Sequence, residues 1–297
     1  MKKRKNSRDN WVTIFAYCFI GCFAIVCLYP LLLTVSVSFS SEKDITQFGY
    51  AIWPKNFSLD TYRYIFVNSG NKIMKSYGIT IFITIVGTLA SMMITSMIAF
   101  AISIRKLKYR NIIAFICNFT IIFSAGLIPW YVVCVNLYGL RNNIMALILP
   151  SMFSVWNMFL MRTYFSGISP SLYEAAEIDG ANYFKIFYKI AIPLSKTAVL
   201  TVGLMYALTY WNDWWNALIF INDKDLFPLQ YYLYNILSNV NAISSGRVPS
   251  GAAANMTLPA ETVKMAVTCI TIGPIIFLYP FIQKYFVQGI MTGAVKE

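Results

Sequence analysis

Six apolar runs constrain this chain more than anything else in it. A helix that spans a bilayer needs about 20 apolar residues. Residues 13–41 carry no charge, and Pro30 is the residue there able to kink a helix. Residues 76–104 are again uncharged. Residues 111–140 form the third run, and 142–161 the fourth, bounded by Arg141 and Arg162. The fifth begins near Thr197 and passes Trp211 toward Ile221; the sixth covers about 265–283. Only 12% of the residues are charged, against about 25% in soluble domains. The expected fold class is therefore an all-α polytopic membrane protein with six transmembrane helices.

Charge sets the orientation. Cytoplasmic segments collect lysine and arginine. With a cytoplasmic N-terminus, fifteen of the 24 basic residues fall inside, including Lys2, Lys3, Arg4, Lys5 and Arg8 and the tight cluster at Arg105, Lys106, Lys108 and Arg110. Glu42, Asp44, Asp60, Asp223, Asp225 and Glu261 fall outside. Six spans then put both termini in the cytoplasm. The expected organisation is a tail over 1–12, a membrane domain over 13–283 and a tail over 284–297. Two outer loops are long, and the first carries a short helix expected at 59–67, capped by Ser58. The first run is too long for a signal-peptide core and has no small-residue cleavage site after it. The net charge of +12 follows from the ends of the apolar runs, not from a nucleic-acid surface.

Much chemistry is excluded. The chain has no histidine, the commonest general base and metal ligand. All six cysteines lie inside apolar runs, where they read as small hydrophobes, so neither a disulfide framework nor a metal site is expected. There is no phosphate-binding G-x-x-x-x-G-K-[ST] loop and no acidic pair within the spans. Asp213 is the one carboxylate in an otherwise apolar stretch. Trp211, Asn212, Trp214, Trp215 and Asn216 surround it and read as a membrane interface. No catalytic residue is expected.

One polar segment interrupts the pattern: SPSLYEAAEIDGANYFKIFYKIAIP, residues 169–193, within a loop over 166–195. Ser169 suits an N-cap and Pro170 the first helical position. Leu172, Ala175, Ala176 and Ile178 fill one short helix, and Gly180 suits the left-handed residue that ends it. A second helix is expected from Asn182, with Tyr183, Ile186, Phe187 and Ile190 at helical spacing. The charge pattern makes this segment cytoplasmic. A transporter lacking its own nucleotide or proton-relay groups needs a partner to supply work, and an ordered loop of this length suits docking. Glu174, Glu177 and Asp179 offer charge to such a partner.

At these residues the chain resembles a known family. Glu174-Ala175-Ala176, three residues, Gly180, nine residues, Ile190, one residue, Ile192-Pro193 matches the EAA signature of ABC-importer permeases. Ile192 stands where that family usually has leucine. The full segment, the tail GIMTGAVKE at 289–297, GLIPWYVV at 126–133 and the WN pairs at 156–157, 211–212 and 215–216 are similar to the carbohydrate-uptake branch. The likeness is to the smaller permease subunit of maltose-type importers. It implies a type I importer fold in a bacterial cell membrane, a second homologous permease subunit, a dimer of cytoplasmic ATPase subunits and an extracellular solute-binding protein. ATP and magnesium would bind the partners, and this chain would hold no cofactor. By the same resemblance Glu174, Ala175, Ala176, Asp179, Gly180 and Pro193 are coupling residues. Gly289, Thr292, Gly293, Ala294 and Val295 would reach between the ATPase subunits.

The expected solute is an oligosaccharide. Sugars bind to aromatic faces and amide or hydroxyl groups. Trp156 and Asn157 in the fourth run, with Tyr210, Trp211 and Asn212 in the fifth, are the candidates for a solute path. A permease for amino acids, peptides or phosphate would share the signature but not the tail. A secondary transporter would need intramembrane charge or an inverted repeat.

Overall fold

The computed structural model describes residues 7–244, 261–273 and 276. They belong to two compact units, Met1–Gly70 with Asn235–Pro274 and Asn71–Tyr234 with Ile275–Glu297. Among the described residues the fold is helical, with one isolated antiparallel bridge between Ser40 and Phe57.

In the first unit, α1 (Ser7–Ser38) runs through Pro30 as one helix. Its side chains from Thr13 to Leu32 are all exposed. An apolar helix that buries so little finds its apolar surroundings in lipid. The chain then turns back. Phe39 stacks on Phe57 and on Tyr62, with ring centroids 5.4 and 5.0 Å apart. The turn includes α2 (Glu42–Phe48). The Glu42 carboxylate accepts from the backbone N–H groups of Glu261 and Thr262, at 3.1 and 2.9 Å. It thus ties this turn to α13, the helical residues 261–273.

The short helix expected at 59–67 is not separate. It is the start of α3 (Asp60–Ser103), which is 44 residues long. Ser58 does cap it: the Asp60 N–H donates to Ser58 Oγ at 3.1 Å. Residues 68–75 are polar but contain no proline, so nothing forces the helix to stop before the membrane run begins.

In the second unit, the remaining turns of α3 pack against α10 (Lys196–Trp211). Before α10 come α4 (Arg110–Ile122), α5 (Leu127–Val132), two 3₁₀ turns (Ile144–Leu147, Leu149–Ser151), α6 (Val155–Ser166), α7 (Pro170–Ile178), α8 (Tyr183–Ile186) and α9 (Ile192–Leu194). After it come α11 (Trp215–Phe220) and α12 (Leu229–Ser244), which ends in the first unit. Tyr206 and Tyr210, one helical turn apart on α10, are fully buried. Tyr210 donates to the Ile148 carbonyl at 3.0 Å and lies 3.0 Å from Ser91 Oγ on α3. Tyr206 lies 2.6 Å from Thr95 Oγ1 and accepts from the Ser154 N–H at 2.9 Å. Gly87 leaves the room: a Cβ there would lie 2.6 Å from the Tyr210 ring.

Three of the expected spans are broken rather than continuous. The run over 111–140 bends by 117° between α4 and α5, where Gly126 adopts φ +85°. The run over 142–161 holds Pro150 and bends by 50° before α6, whose cap Ser154 accepts from the Asn157 N–H. The fifth run is preceded by an 87° bend at Ser195 and interrupted again after Trp211. Among the described residues two helices can cross a membrane alone, Thr13–Ser38 and Gly70–Ser103. Counting each bent pair as one span gives up to five. Most of the second half of the sixth run lies outside the described residues.

Candidate functional site: a seated polar loop and a membrane cleft

Residues 169–195 fold as helix, glycine turn and helix. Ser169 occupies the N-cap of α7 but makes no capping bond; its Oγ lies 2.8 Å from Ser171 Oγ. The other end is fully capped. The Ala181 N–H donates to the Ala176 carbonyl at 2.9 Å, and the Gly180 N–H to that of Glu177 at 3.0 Å. With Gly180 at φ +76°, this is a complete Schellman motif. Asn182 then caps α8, its side chain accepting from the Lys185 N–H at 2.9 Å. A π-helical turn at Phe187–Ala191 and α9, containing Pro193, lead into the 87° bend.

The loop is fixed to the end of α3 by aromatic packing. Phe100 touches Phe165, Tyr173 and Phe187, with centroids 5.9, 6.1 and 5.3 Å away. Ile186, Phe187 and Ala191 are buried in this core, and Ala176 packs against it. A polar latch adds to the apolar seat. Lys106, between α3 and α4, donates to the Glu177 carboxylate. The Lys106 bond holds the Glu177 carboxyl below the usual range. Glu177 in turn raises the Lys106 ammonium and the Tyr183 hydroxyl.

The opposite face of α7 is open. Glu174, Ala175, Asp179 and Gly180 are exposed, and Ile178 is 87% exposed. Glu177 is turned inward to Lys106 and Glu174, though exposed, borders the same side, which leaves Asp179 as the carboxylate away from it. The tail residues Gly289, Thr292, Gly293, Ala294 and Val295 lie outside the described residues.

A second concavity, a cleft of about 750 Å³, opens where α4, α5, the 3₁₀ turns and α10 break. Trp130, Trp214 and Trp215 supply aromatic surface. Thr209, Asn212, Asp213 and Asn216 supply polar groups. Asp213 accepts from the Asn216 N–H at 3.1 Å and from its side-chain amide at 2.6 Å; that amide also donates to Ser151 Oγ at 3.1 Å. Of the five solute-path candidates, Asn212 lines this cleft. Tyr210 and Asn157 are buried, Trp211 is 9% exposed, and Trp156 is 73% exposed on α6. The signal for the cleft was the interruption itself: Ser124, Gly126 and Pro129 in one run and Asn212-Asp213 in another. Broken membrane helices mark cavities because free backbone groups need a polar wall.

The sequence profile described as "Binding-protein-dependent transport system inner membrane component" matches residues 98–292. The chain is 37% identical over 296 residues to the "Polygalacturonan/rhamnogalacturonan transport system permease protein YtcP" of Bacillus subtilis (strain 168), covering 97% of this chain and 99% of that one. It is 27% identical to the "Arabinooligosaccharides transport system permease protein AraQ" of Halalkalibacterium halodurans, over the whole of both chains. Among solved structures, it matches a chain of the "Crystal structure of a bacterial ABC transporter involved in the import of the acidic polysaccharide alginate". The TM-score is 0.82 at 32% identity, covering 96% of this chain and 100% of that one.

Proposed function

Because the chain belongs to the family of binding-protein-dependent transport system inner membrane components, we propose that it is a permease subunit through which ATP hydrolysis on partner subunits drives import of an oligosaccharide. The carrying observation is the two-sided α7. One side is fixed to the membrane helices through Phe100, Tyr173 and the Lys106–Glu177 latch. The other leaves Leu172, Ala175 and Ile178 uncovered. Work can move an inward–outward equilibrium only through contacts that differ between the two states. A short helix gripped by a partner and attached to α3 and α10 transmits such contacts as a lever. In this reading Glu174, Ala175, Asp179 and Gly180 form the seat for an ATPase subunit, Ala176 holds α7 against the membrane helices, and Pro193 joins the seat to the next span.

The finer arrangement follows. Six helices over 13–283 form a type I importer permease with both termini cytoplasmic, beside a second permease subunit. The tail over 284–297 reaches the ATPase dimer. An extracellular protein delivers the solute. ATP and magnesium bind the partners rather than this chain. The relatives' names and the tryptophan-amide cleft support an oligosaccharide: sugar C–H faces rest on aromatic rings while hydroxyls bond amides and carboxylates.

Affinity purification of the full chain should bring an ATPase pair and a second permease. In liposomes with the binding protein, solute should stimulate ATP hydrolysis. Glu174→Lys and Gly180→Pro should abolish that stimulation while membrane insertion is unchanged. Normal stimulation in both variants would overturn the docking role.

A further inference from the structure

Beside the coupling loop lies a cavity of about 270 Å³ that the transport reading leaves unused. Arg105, Lys106 and Arg110 reach it from the α3–α4 turn, and Arg162 from the last turns of α6. Glu174 and Glu177 are its only carboxylates. Among the described residues one ion pair forms here, Lys106 with Glu177. No described carboxylate lies within 4.0 Å of Arg105, Arg110 or Arg162. Arg110 and Arg162 are only partly exposed and neither has an ion-pair partner within 4.0 Å, the Arg162 guanidinium lying 5.9 Å from the Phe159 ring. Pro170, the first residue of α7, lines the same space, as Arg110 does at the start of α4. The positive ends of two helices therefore add to the field of the side chains. The wall is not uniformly polar: Ile104, Phe165 and Ile168 complete it.

Cation clusters that only orient a membrane protein are normally spread in water at the ends of the spans. Here cations from two well-separated parts of the sequence converge on one concave site with an apolar side. Guanidinium forks match phosphate oxygens, and the apolar side suits the glycerol and first methylenes attached to a phosphodiester. We propose that this cavity binds a phosphate group, carried by an anionic phospholipid of the surrounding bilayer. Because Tyr173, Glu174 and Glu177 of α7 share its wall, occupancy also bears on the seating of that helix. That consequence rests on the coupling reading, whereas the binding does not.

The full chain, purified in a neutral detergent, tests it. Native mass spectrometry would compare retained phosphatidylglycerol with phosphatidylcholine, and thermal unfolding would be followed with each lipid and with inorganic phosphate. Wild type should retain phosphatidylglycerol selectively. Arg105→Gln with Arg162→Gln should weaken it by about ten- to thirty-fold, since each basic group near a membrane surface contributes about tenfold or less. The matching pair of lysine substitutions should keep most of the binding. If inorganic phosphate alone stabilises wild type but not the glutamine pair, the phosphate-binding site stands and its ligand comes from solution. Equal phosphatidylglycerol retention by wild type and the glutamine pair, with no phosphate effect in either, would overturn the proposal. Should the pair not fold, Arg110→Gln alone is read by the same criteria.

Discussion

Tyr210 shows how residue type and residue role part company. In the sequence it is an aromatic hydroxyl beside Trp211 and Asn212, a set that suits a sugar. In the structure its ring fills the notch left by Gly87, and its hydroxyl is held by Ser91 and the Ile148 carbonyl. The ring cannot yield, because both the packing and the hydroxyl fix it. Gly87→Ala should therefore destabilise the chain by about 1–3 kcal/mol, as overpacking does, measured by thermal unfolding in detergent. In a Tyr210→Leu background the same change should be much milder, because the clashing ring is gone. Additive losses would show that Gly87 does not act through Tyr210. Tyr210→Phe leaves the Ile148 carbonyl short of a donor and should lose about 1 kcal/mol. None of this was legible in the sequence, where Gly87 is one glycine in a long apolar run with no marked partner.

At the scale of elements, the coupling loop was legible because its signals are local. Pro170 at a helix start, Gly180 at a left-handed stop and Asn182 at the next cap each act within a few residues. The latch was not legible, since Lys106 and Glu177 lie 71 residues apart. The breaks in the spans were visible only as scattered Ser, Gly, Pro and Asn, whose effect depends on whether tertiary contacts straighten the helix. The latch makes a prediction with a sign. The Glu177 carboxyl is lowered from its ordinary 4.5. Its contribution is fully present above that value and is lost as pH falls through the lowered one. The Lys106 ammonium is raised from 10.5, so its contribution holds below that value and fades as pH rises past the raised one. A spin label at Ser171 should be immobile near pH 7 and freer once pH has fallen below the lowered Glu177 value. Glu177→Gln should free it already at pH 7. Equal mobility of wild type and variant throughout an acid titration from pH 7 would show that the aromatic seat alone holds α7.

At the scale of the molecule, composition alone was enough for the class: runs this long and this apolar have no other stable home than a bilayer. Counting the crossings is harder, because a 117° bend can mark either one broken span or two short re-entrant arms, with opposite consequences for every later loop. The two cases place the charged segments differently. If α4 and α5 together cross once, Arg105–Arg110 and Ser169–Asn182 lie on the same side as the N-terminus, with two crossings between them. If the pair enters and returns, the coupling loop falls on the opposite side from Arg105–Arg110, away from any cytoplasmic ATPase. Single cysteines at Lys108, Ser171, Lys55 and Lys224, in a chain whose six native cysteines are replaced by alanine, separate these cases. A membrane-impermeant maleimide applied to intact cells should label the cysteines at 55 and 224. It should reach those at 108 and 171 only after the membrane is opened. Labelling at 171 from outside, with 108 protected, would assign the α4–α5 pair as re-entrant and remove the coupling loop from the cytoplasm. Lys55 serves as the internal reference, because it precedes α3 and its side does not depend on how the broken pairs are counted.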